Sequence, residues 1–169
     1  KALTMQLPSL GKPSYMRTAR NKTPVLYDGR ENDIEIGKGV VLREGSDVAI
    51  IACGVLVHES LDAAEKLSAE GINATVVDMH TIKPLDTDLI DSLAQKCGAI
   101  VTAEDHSVIG GLGGAIAEHV VGSTPVPIEK IGVQDRFGES AGAEEMLEMM
   151  GLKSHHICDA VKNVIERKV

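Results

Sequence analysis

The sequence predicts an α/β fold: a five-stranded mixed sheet, one strand antiparallel, between two layers of helices. Three observations predict it. Residues 48–53 (VAIIAC) form an unbroken apolar run with no polar alternation, as in a strand buried on both faces. Strand-like and helix-like stretches then alternate down the chain, the order that builds parallel sheets. Finally, the chain is 43% apolar yet has one Phe, two Tyr and no Trp. The core is therefore aliphatic, which suits a helix-covered sheet better than a β-sandwich. At 169 residues there is room for one ordinary domain and a little more.

Residues 1–30 do not read as the start of a domain. Residues 1–10 are weakly helical and broken by Pro8, residues 13–20 have strand-like composition, and 21–30, with Pro24 and Asp28-Gly29, read as a linker. With Lys1 in place of an initiator Met, this stretch is expected to be the tail of a preceding domain, leaving 31–169 as the domain proper. Residues 35–44 predict an edge strand, and the short turn Gly45-Ser46-Asp47 predicts an antiparallel hairpin with the strand at 48–53. Over 55–70, Val57, Leu61, Ala64 and Leu67 have helical spacing, with Gly71 as the stop. A β-branched strand follows at 72–79. Asp86 is placed to cap a helix over 86–96, with Asp88 in its first turn. A strand at 99–103, a helix to about 121, and a strand within 124–132 come next. Pro125 and Pro127 make that last strand an edge, or delay its start to Ile128. Helices at 143–150 and 154–168 close the chain. Right-handed crossovers put the loops after Cys53, Asp78, Ala103 and Gly132 on one rim.

Composition excludes several functions. The net charge is −8 and the 17 Lys and Arg are scattered, so there is no basic stripe for nucleic acid. The longest apolar run, 48–57, is too short to cross a bilayer, and no signal peptide is present, which points away from membranes and to the cytoplasm. Cys53, Cys97 and Cys158 form no CxxC pair and read as structural thiols of a reducing compartment.

Chemistry would be placed at the triplet Glu104-Asp105-His106 and the glycines that follow it. A carboxylate can orient an imidazole as a general base. Adjacent residues rarely point at each other, however, so an interface network is the favoured reading. Gly111-Leu112-Gly113 begins a G-x-G pattern, but Ile116 stands where the third glycine belongs and the turn after the first buried strand lacks the pattern, so there is no dinucleotide fingerprint. Gly113 and Gly114 instead give the next helix a small face for close packing, and its N-terminus could hold an anion. His58 and Glu59 read as solvated or interface residues. His155 and His156 are helix neighbours roughly 100° apart, a poor chelating geometry, so no metal site is expected. No complete catalytic constellation emerges.

Three motifs, in order, carry a family resemblance. They are Asp78-Met79-His80-Thr81-Ile82-Lys83-Pro84-Leu85-Asp86, then Thr102-Ala103-Glu104-Asp105-His106 with Gly110-Gly111-Leu112-Gly113, then Arg136-Phe137-Gly138-Glu139-Ser140. The last is followed by Glu145-Met146-Leu147-Glu148 and Gly151-Leu152. Over residues 13–165 the chain resembles the C-terminal domain of transketolase, which implies a three-layer α/β/α fold. Transketolases use thiamine diphosphate and a divalent ion to move two-carbon ketol units between sugar phosphates. In the family the cofactor lies between the two preceding domains, across a homodimer interface. This chain has no Gly-Asp-Gly motif and no pyrimidine-binding region. The resemblance thus implies that it binds no cofactor and does not turn over alone, and that its partners are the preceding domains or a large subunit. Residues 1–30 become the tail of the pyrimidine-binding domain plus linker. Glu104, Asp105, His106, Gly111, Gly113 and Gly114 are then expected at a domain or subunit interface. The family's phosphate-binding arginine, in a Ser-Arg-x-x-x-Pro loop, matches Arg20, with Ala19 where many members have Ser and Arg17 as second choice; a guanidinium fork suits phosphate oxygens. The alternatives are a 2-oxoacid dehydrogenase β subunit, a deoxyxylulose phosphate synthase, or a regulatory module binding a nucleotide or protein. Phe137-Gly138-Glu139-Ser140 favours transketolase.

Overall fold

Residues 1–20, 22–29 and 34–168 are described by the computed structural model. Its centre is β2 (Val48–Ala52), five apolar residues all buried. β2 pairs in parallel with β3 (Ala74–Asp78) on one side and β4 (Ile100–Ser107) on the other, and β5 (Ile128–Val133) adds to β4. With β1 (Val40–Arg43) outside β3, the order is β1-β3-β2-β4-β5. The period-two alternation of β2 divides the core. Val48, Ile50 and Ala52 face α2 (Leu56–Ala69) and α6 (Ser154–Ile165), while Ala49 and Ile51 face α3 (Thr87–Cys97) and α4 (Leu112–Gly122). These are the three layers the sequence predicts. A short α1 (Ala2–Gln6) precedes the sheet and α5 (Ala143–Met149) precedes α6. Among the described residues no helix is long and apolar enough to cross a membrane.

The expected β1–β2 hairpin does not form. β1 is the antiparallel strand, but its partner is β3, with Val40 opposite Asp78 and Val41 opposite Val77. Both edges of β2 are already taken by parallel neighbours, so the turn after β1 must cross the start of β3. It is fastened there: the N–H groups of Ser46 and Asp47 donate to Asn73 O at 3.0 and 2.9 Å, and Thr75 Oγ1 donates to Gly45 O at 2.7 Å. A Cβ on Gly45 would stand 2.4 Å from the Ala74 carbonyl carbon, so only glycine makes this crossing. Residues 13–20, read as strand-like, form no strand. β5 starts at Ile128 and is an edge strand, as its prolines require. Part of the expected linker, Asn21 and Arg30, and the 30/31 boundary lie outside the described residues.

Helix ends are held by acids. Asp86 caps α3, accepting from Leu89 N, and its other oxygen accepts from Gly39 N at 3.0 Å ahead of β1. Glu59, expected in solvent or at an interface, is 5% exposed. It reaches from α2 to the start of α6, where Ser154 N donates to Oε2 at 2.7 Å and Lys153 Nζ to Oε1 at 2.8 Å. Burial opposes the charge of Glu59, but the Lys153 and Ser154 bonds and the Lys153 charge outweigh it and hold the carboxyl below its usual 4.5. A depressed carboxyl contributes stability that is present above its unfolded value and lost as pH falls through the folded one. Glu59→Gln is therefore expected to cost about 1–3 kcal/mol at neutral pH, with the gap to the parent closing below about pH 4.5. Urea unfolding across that pH range checks both.

Candidate functional site

β4 runs to Ser107, four residues beyond the expected end at Ala103, with an irregular register against β5 after Ala103. The triplet is thus strand rather than loop, and its side chains part company. Glu104 points inward and is 1% exposed. The first N–H groups of α4 have no partner within the helix, and its N-cap, Gly111, has no side chain to offer. Glu104 supplies the missing acceptor: Leu112 N donates to Oε2 and Gly113 N to Oε1, each at 2.8 Å. A negative charge at the positive end of the helix dipole is favourable. It also fills the place where an external anion would sit, so the anion site considered at this N-terminus is occupied by the protein's own carboxylate.

The glycines follow from this contact. A Cβ on Gly111 would lie 2.0 Å from Glu104 Oε2, and one on Gly113 would lie 2.7 Å from Thr102 Oγ1. Gly114, expected to share the close-packing face, has nothing within 4 Å of its Cβ position. Asp105 is half-buried and engages through its backbone, its carbonyl accepting from Arg17 Nη2 at 2.9 Å. His106 is exposed, its Nδ1 donating to Ser107 O at 3.1 Å. No acid of the triplet orients the imidazole, so no general-base pair is assembled. Glu104, placed by the sequence among the rim residues, lies beneath the rim.

Arg17 fastens its segment to β4, and residues 17–20 with Gly54, Val55 and Asp105 line a cleft of about 150 Å³ at the carboxyl end of the sheet. Arg20 is exposed at that cleft. One contact in this region carries no sequence signal, because its partners are 51 residues apart: Tyr27 OH donates to Asp78 Oδ2 at 2.6 Å. Asp78 and His80 sit beside it with Asp78 Oδ1 and His80 Nε2 buried and without hydrogen-bond partners among the described residues. Burial raises the Asp78 carboxyl, against the Tyr27 hydrogen bond and the His80 charge, and burial lowers the His80 imidazole. Both neutral forms are favoured. Burial, with Glu104 adding, pushes the Cys53 thiol up to about 12, so it is no nucleophile at neutral pH.

Two candidate places for a diphosphate do not suit one. The larger cleft, about 250 Å³ between β5 and α6, carries Glu129 and Asp159 with no Lys or Arg in its lining, and the N-terminus of α4 is taken. A diphosphate would meet acids in the one and too little room in the other.

The packing yields a paired test. Glu104→Ala strands two buried N–H donors and is expected to cost about 2–4 kcal/mol, and Gly113→Val about 1–3 kcal/mol from overpacking. Gly114→Ala should be neutral or stabilise by up to about 1 kcal/mol. Denaturant midpoints measure all three.

A family model described as "Transketolase, C-terminal domain" matches residues 37–157. The 6-deoxy-6-sulfo-D-fructose transketolase subunit SqwH of Clostridium sp. (strain MSTE9) is 44% identical over 92% of this chain and 48% of its own. A putative transketolase C-terminal section of Methanocaldococcus jannaschii is 41% identical over 92% of this chain and 49% of its own. A 1-deoxy-D-xylulose-5-phosphate synthase of Trichormus variabilis is 44% identical over 88% of this chain but 24% of its own. Among solved structures, a split-gene transketolase in an inactive beta4 tetramer superposes with a TM-score of 0.85 at 44% identity, covering 89% of this chain and 49% of that one. The chain thus spans about half the length of the transketolase relatives it matches. Aligned over its whole sheet and reproducing the relative's fold, the chain belongs to the transketolase C-terminal domain family.

Proposed function

We propose that this chain is the C-terminal portion of a thiamine-diphosphate-dependent transketolase, supplying subunit contact and a phosphate-binding arginine to an enzyme whose cofactor and divalent ion are held by its other part. The observation that carries this reading is the fastening of Arg17 on Asp105 and of Tyr27 on Asp78 at the carboxyl rim, with Arg20 exposed at the adjoining cleft. The complete assembly is a homodimer of the cytoplasm acting on sugar phosphates, with the pentose phosphate pathway as its setting. The inactive state of the solved beta4 relative supports a part that does not turn over alone. Similar identity to deoxyxylulose phosphate synthases keeps that reaction as the second reading.

Partner contact is supported by apolar exposure where the rim loops end. The chain's one Phe, Phe137, is 96% exposed after β5, and Ile109 is 64% exposed after β4. In this proposal the two side chains meet the partner part.

Mixing the chain with the section that carries the Gly-Asp-Gly domain, plus thiamine diphosphate and magnesium, should restore ketol transfer that neither part shows alone. Activity of the chain alone, or an inactive mixture, overturns the proposal. Replacing the ketol donor by pyruvate, with glyceraldehyde phosphate as acceptor, separates the synthase reading. In the active mixture, Arg20→Ala should raise KM for phosphorylated substrates roughly tenfold or more, with little change for unphosphorylated ones. Phe137→Ala should weaken association of the two parts by about 1–2 kcal/mol and leave the unfolding midpoint of the chain unchanged; sedentation of the two parts together would be read by analytical ultracentrifugation.

A further inference from the structure

The corner between α5 and α6 gathers three ligand-type side chains away from the rim. Gly151, at φ 72°, turns the chain after α5; its N–H donates to Glu148 O at 3.0 Å and that of Leu152 to Leu147 O at 2.8 Å, so the last carbonyls of α5 are satisfied by a left-handed stop. Leu152 is buried beneath the corner, and Lys153 ties it down by donating to both Glu59 and Glu144. α6 begins at Ser154, so His155 and His156 occupy its first turn, against Glu148 in the last turn of α5.

Neighbouring helix positions diverge by roughly 100°, the reason the sequence predicts no chelate here. The fold compensates. The two imidazole centroids stand 3.9 Å apart. Both rings turn Nε2 toward one oxygen, Glu148 Oε1, at 3.1 Å from His155 and 3.9 Å from His156. One ligand atom from each of the three residues lies within 4.8 Å of the other two. An ion between atoms so spaced would sit roughly 2.0–2.4 Å from each, close to the ~2.0–2.2 Å of zinc bonds to imidazole and carboxylate. Glu148 and His155 are exposed, which leaves further coordination positions open to water.

We infer that Glu148, His155 and His156 form a binding site for a divalent transition metal of the zinc type, clamping α5 to α6. Two imidazoles and one carboxylate suit zinc, cobalt, nickel or copper and discriminate against magnesium and calcium, which take oxygen donors. The site is therefore chemically unlike one that seats a diphosphate-bound magnesium. The thiols do not compete: Cys97 and Cys158 are buried, and the Cys53 thiol is held protonated.

Calorimetric titration of the full chain at neutral pH with zinc and, separately, magnesium tests this. One equivalent of zinc should bind with micromolar affinity and raise Tm, while magnesium does neither. Cobalt should give a d–d spectrum without a thiolate charge-transfer band. H155A, H156A and E148Q should each weaken zinc roughly tenfold or more, with H119A, whose imidazole pairs with Asp91, unchanged. E148Q keeps the shape of its side chain and serves if a histidine variant fails to fold. No zinc uptake at hundreds of micromolar, or stoichiometric binding that survives E148Q and the H155A/H156A double variant, overturns the inference.

Discussion

The carboxylate of Glu104 on the first two N–H groups of α4 is the interaction on which the rest of this domain depends. Burying a charge costs several kcal/mol unless it is paired, and among the described residues no cation pairs it. The compensation comes from two charge-assisted hydrogen bonds of 2.8 Å and from the helix dipole. To reach those N–H groups the helix must come close to β4, and that approach dictates glycine at 111 and 113. Thr102, one pleat earlier, meets the same helix, which fixes its rotation about its own axis as well as its height on the sheet. Glu59 on α6 and Asp86 on α3 repeat the device. Three of the helices that flank the sheet are thus started by an acid, two of them by an acid from another element. Glu104, read in the sequence as part of a reactive or interface triplet, and Glu59, read as solvated or at an interface, are helix fasteners.

This changes what the rim can do. With Glu104 below the surface, Asp105 engaged through its backbone and His106 Nδ1 bonded to its neighbour's carbonyl, no acid of the triplet orients the imidazole above β4. What the rim does is hold a strap. Arg17 and Tyr27 fasten the N-terminal segment at the carboxyl ends of β4 and β3, the side of an α/β sheet where ligands meet the protein. Arg20 lies between the two anchors, so its guanidinium is presented by a segment whose ends are fixed. For the phosphate-binding role proposed for Arg20, such anchoring would lower the conformational entropy lost on binding.

How much of this was legible in the sequence varies with the range of the interaction. The buried β2, the Asp86 cap, the Gly71 stop and the delayed start of β5 all rest on local rules, and the structure follows them. Strand pairing is not local. The turn at Gly45 looks like a hairpin because a short turn after one strand and before another usually is one; only the occupancy of both edges of β2 sends β1 to β3. The extension of β4 through Glu104-Asp105-His106 was hidden because a charged triplet reads as loop, whereas one of its acids is paid for by a helix eight residues on. Tyr27 was invisible for the opposite reason: it sits in linker-like sequence and its partner is 51 residues away.

Asp78 and His80 show where the domain does not satisfy itself. Elsewhere each buried acid has its partners, but Asp78 Oδ1 and His80 Nε2 are buried without any among the described residues. An unpaired buried polar atom costs about 1–3 kcal/mol, and the shifts of both groups toward their neutral forms are the cheapest response to that burial. The cost falls at the ends of β3 and its following loop, directly under the strap that Tyr27 fastens. At Asp78 stability and placement therefore pull against each other: the carboxyl that accepts the strap's hydrogen bond is one that burial penalises. Arg17 and Tyr27 thus hold the chain on either side of Arg20, the second of them through a carboxyl whose burial is itself costly.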